Sequence, residues 1–427
     1  MGFYAWRASG KGEARYYTAG VTKDDQGEAA DREGMRVALA ALAALAVAMG
    51  IGRFAFTPIL PMMQQDAGLS VSDGGWLASA NYLGYLIGAL SAVHLRIRAA
   101  TAIRAGLAVI GASTLAMALR EGFPLWVALR TLAGVASAWV LVFVSAWSLE
   151  RLAVLGRVAL SGVVYAGVGA GIVVAGAVCL VAMKAGASSS IAWLSLGIGA
   201  LAAAAIFWPS FGSGSAATPA ALPRDEAKPR SGDFWRLVIC YGAYGFGYII
   251  PGTFLPVMAK QVVADPVLFG WAWPAFGAAA VASTLLVARA APLVTHRGAW
   301  AICHLVMAAG VIVPLLLPGL AGILIAALCV GGTFVVITQV GLQEARAVAG
   351  ASARTLIAAM TSAFALGQII GPLAAAYWVR ATGGFSGALI LAAALLALSA
   401  LALMRWPRAG LSIMARRAAT DREKRRR

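Results

Sequence analysis

Charge is scarce in this chain. Only 12% of its 427 residues are Asp, Glu, Lys or Arg, and just 17 are acidic. With 61% hydrophobic residues besides, too little polar surface is left to coat a soluble globule. The four cysteines, Cys179, Cys240, Cys303 and Cys329, stand singly inside apolar runs. That spacing excludes a disulfide framework or a zinc site and makes them small hydrophobes. The alternating short segments of a β-barrel are missing. So are a nucleotide loop, a metal cluster and a serine–histidine arrangement, because the glycine-rich stretches lie within apolar runs, the wrong context for cradling phosphate. Enzyme chemistry and a bound cofactor are therefore not expected.

What is there is apolar length. A helix needs about 20 apolar residues to cross the hydrocarbon, and twelve such spans can be drawn: 37–63, 74–95, 101–119, 123–148, 158–183, 189–208, 234–258, 267–289, 298–317, 320–343, 355–379 and 385–405. The fold class expected is an all-α membrane protein of two six-helix bundles, 36–208 and 234–405. Residues 1–35 have mixed charge and no apolar periodicity, which predicts a disordered tail. Residues 209–233, rich in Ser, Pro and Gly, read as a flexible linker, and 406–427 as a basic tail. The formal charge of +17 is concentrated there: nine Lys/Arg against Asp421 and Glu423 after Met404 give +7 (9 − 2). Beside a span such a tail is an orientation signal that touches anionic lipid, and no aromatic follows Trp406 to stack on a nucleic-acid base. Thirteen Lys/Arg fall in the loops on one side, against Arg120, Lys184, Lys260 and Arg380 on the other. Both termini are therefore expected in the cytoplasm, with the chain in the inner membrane.

The two halves repeat. Gly50-Ile51-Gly52-Arg53 and Leu60-Pro61-Met62-Met63 return as Gly245-Phe246-Gly247-Tyr248 and Leu255-Pro256-Val257-Met258, at an offset of 195 (245 − 50). The same offset carries Gly75-Trp76 onto Gly270-Trp271, and Glu150 and Glu344 lie 194 apart, each beside an arginine. Arg53 thus stands where the other half has Tyr248.

Six spans plus six with a linker between them is similar to the plan of the major facilitator superfamily. Arg130-Thr131-Leu132-Ala133-Gly134 resembles its fourth-helix motif, while His94-Leu95-Arg96-Ile97-Arg98 lacks the Asp of its usual second-loop motif. In span five Ile172 replaces the proline that the superfamily's antiporter motif wants after Gly167, Gly169 and Gly171. The wording GIGRFAFTPILPMM, followed by GWLASANYLGYLIGAL, resembles the uncharacterised YbfB/YjiJ-type branch. That resemblance implies transport and lines a central cavity with spans one, four, seven and ten; it implies no substrate.

Charged groups at mid-span cost about 2.5–3.5 kcal/mol on insertion scales, so Arg53 and Arg130 are expected to face a cavity or a partner. No Asp or Glu lies at hydrocarbon depth in any span, so an organic anion is the economical answer to the charge. The bland alternative is an arginine bracing helix carbonyls, weighed evenly for Arg130 and lower for Arg53. Asn81, Tyr85, Tyr244, Tyr248, Gln339 and Gln368 complete the candidate substrate-binding set, as cavity lining or as interhelical hydrogen-bonding groups. His304 reads as a packed histidine. The expected function is a secondary transporter of a small organic anion, working as a monomer among membrane lipids. A coupling proton would have to run through the substrate or an arginine-bound water. Efflux of amphipathic compounds and a non-transporting sensor are the alternatives.

Overall fold

The computed structural model describes residues 23–92, 95, 97–119, 122–211, 231–263, 265–290, 294–349 and 353–404. The linker's central part, the basic tail and Arg120 lie outside the described residues. Within them the chain is helical: α1 Lys23–Leu45, a π-helical turn Ala46–Ile51, α2 Phe56–Asp66, α3 Val71–Ala92, α4 Ala99–Ala116, α5 Phe123–Val154, α6 Ser161–Lys184 and α7 Ser189–Phe207 form the first half. The second half holds α8 Ser231–Val262, α9 Pro266–Gly270, α10 Ala272–Ala290, α11 His296–Leu316, α12 Leu320–Ala349, α13 Ala353–Thr382 and α14 Ser386–Met404. Eleven of the resulting spans are long and apolar enough to cross a bilayer by composition alone. The twelfth is α3, whose average is lowered by Ser79, Asn81, Tyr82 and Tyr85, all turned inward and buried.

Small residues set the helix spacing. In α6 the three alternate glycines split their duties. A Cβ on Gly167 or Gly171 would come within 2.3 Å of the Leu42 or Ala46 carbonyl, whereas one on Gly169 would meet Gly277 of the other half at 2.8 Å. The first pair seats α6 on span one within its own bundle, and Gly169 seats it on α10 across the bundle interface. Gly245 against Phe364 and Gly367 against Gly242 repeat the seating between α8 and α13. The bundles meet along α6/α10, α3/α13 and α2/α8.

Helix starts depart from the sequence expectation at one end. α1 begins at Lys23, inside the stretch that composition assigns to a disordered tail. Its added turns are tied down by Asp31 on Arg157 (2.6 Å) and Glu33 on Arg151 (3.7 Å), ion pairs that no local pattern reveals. The linker is also trimmed: Trp208–Phe211 form a 3₁₀ turn, and Ser231, Gly232 and Asp233 already belong to α8.

The repeat is real but not uniform along the chain. Gly134 packs on the Asn81 carbonyl and Gly331 on the Phe276 carbonyl. Asn81 and Phe276 are 195 apart, but the glycines are 197 apart (331 − 134). Spans four and ten are therefore matched at 197, and Glu150 and Glu344 are not mates. Glu344 instead receives Arg297 Nε at 2.5 Å, and Asp233 receives Arg297 Nη2 at 2.8 Å, a bridge joining the ends of α8, α11 and α12.

Candidate functional site

Span one is not one helix. After α1 the backbone widens, with Gly52 N–H reaching back to Val47 O (2.8 Å) and Phe54 N–H to Met49 O (3.0 Å), both five residues away. Residues 52–55 form turns before α2 starts at Phe56. The cause is Pro58: its ring opposes the carbonyl of residue 54, and it has no N–H to give it. Thr57 N–H takes Phe54 O at 3.2 Å instead. In the second half Thr253 occupies the place of Pro58 (253 − 58 = 195), and α8 runs unbroken past Tyr248. The shared G-x-G does not break a helix by itself.

A break at hydrocarbon depth leaves carbonyls that must be answered. Three side chains answer them. Ser137 Oγ donates to Ala48 O (2.7 Å), Asn81 Nδ2 to Gly52 O (3.2 Å), and Arg130 Nη1 and Nη2 to Gly52 O (3.2 Å) and Arg53 O (2.9 Å). Asn81 Nδ2 also donates to Arg130 O at 2.8 Å, tying α3 to α5 behind the break. The mates of these residues are Phe276, Ala327 and Phe334, none with a side-chain donor, beside α8, which stays helical past Tyr248 although it carries Pro251 and Pro256. Arg130 is therefore a brace: each of its terminal nitrogens holds the backbone that presents Arg53.

Arg53 itself is 3% exposed, inside the protein and away from lipid. Its guanidinium lies over the rings of Tyr85 (4.2 Å), Tyr82 (5.2 Å) and Phe54 (5.3 Å). Nη2 donates to the Tyr248 hydroxyl at a long 3.4 Å, and Nε has no protein partner. Among the described residues neither Arg53 nor Arg130 pairs with a carboxylate. A cation held by π faces and one stretched hydrogen bond is weakly compensated.

Arg53 and Tyr248 are 195 apart, the offset of the repeat. One helical turn on, Thr57 Oγ1 donates to Gly252 O at 2.8 Å, again 195 apart. Mates in two pseudo-symmetric halves touch each other only at the axis that relates them, as in an isologous contact. The axis therefore passes between span one and α8 at Arg53–Tyr248 and at Thr57–Gly252. Beyond it, Lys260 Nζ donates to Pro61 O at 3.0 Å. Twelve spans, an even number, put Lys23 and Met404, the first and last described residues, on one face of the molecule, here the terminal face, and these contacts lie between Arg53 and the opposite, far face.

The other sequence candidates divide. Tyr85 is the platform under Arg53. Gln368 Nε2 lies on the Tyr248 hydroxyl, and its Oε1 has no partner. Tyr244 stacks on Tyr248 at 5.1 Å and donates to Phe334 O at 2.6 Å, with Thr338 Oγ1 3.1 Å away. Gln339 stands apart from Arg53 and lines a cleft on the terminal face. His304 is fully buried and accepts from Trp300 Nε1 at 2.8 Å, a packed histidine as expected. Tyr82, between Asn81 and Tyr85 in span two, brings its hydroxyl to 3.2 Å from Thr253 Oγ1 across the bundles. Sequence reading missed Thr57, Ser137, Phe334 and Phe364. The rings of Phe334 and Phe364 flank Tyr248 nearly parallel to it, each 5.7 Å away. Thr57 lies on the 195 register and could have been found there; nothing local marks the others.

The cleft runs between α5 and α6 of one half and α10, α11 and α12 of the other, with a volume near 590 Å³. The cleft opens on the terminal face, whereas the axis contacts lie toward the far face. The family described as "Uncharacterised MFS-type transporter YbfB" matches residues 45–404. No curated protein matches the chain. Twelve spans in two pseudo-symmetric bundles, a cleft between them and a match across that length make this chain a member of the major facilitator superfamily, in the YbfB-type family of membrane transporters.

Proposed function

We propose that the protein is a secondary transporter that carries a small organic anion across the inner membrane, with both termini in the cytoplasm. The observation that carries this reading is the Arg53 guanidinium on the axis between the bundles, buried, without a carboxylate, and held by a hydrogen bond of only 3.4 Å. A carboxylate accepts two N–H groups from a guanidinium at once and outcompetes a phenol for it. Binding there takes Arg53 away from Tyr248 and so loosens a contact that holds the far face shut. Substrate and gate then share one side chain, which is what alternating access asks of a site.

The terminal face, where the Lys/Arg majority lies, is the cytoplasmic one. A positive, carboxylate-free centre disfavours cationic drugs. It also leaves no acidic proton carrier at hydrocarbon depth, so any proton would be bound with the anion. The carrier is taken as a monomer. Uptake of labelled carboxylates into vesicles with wild type, Arg53→Lys and Arg53→Ala tests the proposal. Arg53→Ala abolishes anion flux, and Arg53→Lys, a point charge without the fork, keeps a small fraction of it. Unchanged flux in Arg53→Ala removes Arg53 from the site.

A further inference from the structure

We infer that the cleft on the terminal face is itself a binding site, and that its ligand is an amphipathic monoanion: one acid group on an apolar body. Arg346 is the cationic side chain among its lining, with the His296 imidazole beside it at the mouth, and among the described residues no carboxylate lines it. The two acids nearest in sequence do not alter that. Glu344 is engaged by Arg297, and Glu150 is exposed next to the lining residue Leu149. Below the basic mouth the walls are Leu149, Val158, Val294, Val335, Val340 and Leu342. A volume near 590 Å³ lies within the range of pockets that enclose drug-sized ligands.

Polarity continues down one helix face. Gln339, Gln343 and Arg346 follow at steps of four and three on α12 and all line the cleft, as residues sharing one helical face must. From Arg346 to Gln339 the rise is about 10 Å. Thr338 joins them at the floor, 3.1 Å from the Tyr244 hydroxyl, and Tyr244 stacks on Tyr248, the partner of Arg53. An acid group thus has a cation at the mouth and amides below it, while its body rests on the aliphatic walls. A small dicarboxylate would leave those walls wet and find one permanent cation for two charges. This inference rests on the transport reading for what happens to the ligand next, but not for its binding in the cleft.

Calorimetric titration of protein in nanodiscs, against empty nanodiscs, with benzoate, 2-naphthoate and succinate tests it. The expected order has 2-naphthoate at least tenfold tighter than benzoate and succinate weakest. Arg346→Gln weakens 2-naphthoate about tenfold, and Arg346→Lys restores most of the loss. Arg346 is exposed, so neither change threatens folding. Equal binding of the two aromatic acids, tighter binding of succinate, or no effect of Arg346→Gln overturns the inference. If 2-naphthoate binds as expected but is not carried into vesicles, the cleft site stands and the transport reading falls.

Discussion

Two buried arginines on adjacent helices have different work. Arg130 gives its terminal nitrogens to Gly52 O and Arg53 O, backbone acceptors that helix geometry would have satisfied had Pro58 not broken it. Arg53 gives its own to one phenol at 3.4 Å. The same substitution should therefore have opposite consequences at the two positions. Arg130→Lys keeps the charge but cannot reach two carbonyls at once. A hydrogen bond to a charged group contributes about 1.5–3 kcal/mol, and a loss of that order is expected in thermal unfolding of the detergent-solubilised protein. Arg53→Lys gives up the stretched bond and the planar stack, keeps a cation over the Tyr85 ring, and changes stability by less than about 1 kcal/mol. Equal stability losses at both sites would contradict the division of labour drawn from the distances.

The break in span one explains why so much of the element level was legible and why this part was not. Span positions, the bundle repeat and the seating glycines follow from apolar length, the 195 register and the small-residue spacing of α6. The break does not, because Gly50-Ile51-Gly52 and Gly245-Phe246-Gly247 look alike, and the proline that matters, Pro58 against Thr253, is one of several: α8 carries Pro251 and Pro256 and still runs unbroken. Its repair was hidden too: Ser137, Asn81 and Arg130 act from α3 and α5, and no local pattern shows which carbonyls they meet. The extension of α1 to Lys23 was equally hidden, since its ion pairs reach Arg151 in the last turn of α5 and Arg157 just beyond it, far along the chain. Pro58→Ala tests the cause assigned to the break. With the ring gone and an N–H restored, Arg53–Thr57 can close toward α-helix, relieving a conflict of about 3 kcal/mol. Backbone amide exchange at Phe54–Thr57 should slow markedly, and anion flux should fall as Arg53 leaves its position. Unchanged exchange would show that the side-chain clamps, rather than the proline, hold the chain open.

At the scale of the whole molecule, the far face is shut by contacts laid along the pseudo-two-fold axis. Arg53 on Tyr248 and Thr57 on Gly252 are symmetric in position but not in chemistry, and Tyr82 on Thr253 ties α3 to α8 beside them. Outermost is Lys260 Nζ on the Pro61 carbonyl of α2, at 3.0 Å. Like Arg53 on Tyr248 it is a charged hydrogen bond between the bundles, but it spends nothing on the fold of either: Lys260 lies in α8 and Pro61 in α2, and neither helix depends on it. Its loss should therefore move the equilibrium between the two states and leave melting behaviour nearly unchanged. For a partly exposed lysine the contribution is about 1–2 kcal/mol, roughly a five- to thirty-fold change in the population open to the far face. Lys260→Met, made in a variant without the four native cysteines and carrying Val257→Cys, is the measurement: Val257 is buried on the sealed side, 3% exposed, and labels only when that side opens. Its labelling rate with a membrane-impermeant thiol reagent should rise by that factor. Saturating anion should raise the rate further, because a ligand on Arg53 loosens the Tyr248 contact that Lys260→Met leaves in place. A labelling rate indifferent to both the lysine and the anion would mean that the axis contacts do not gate the far face.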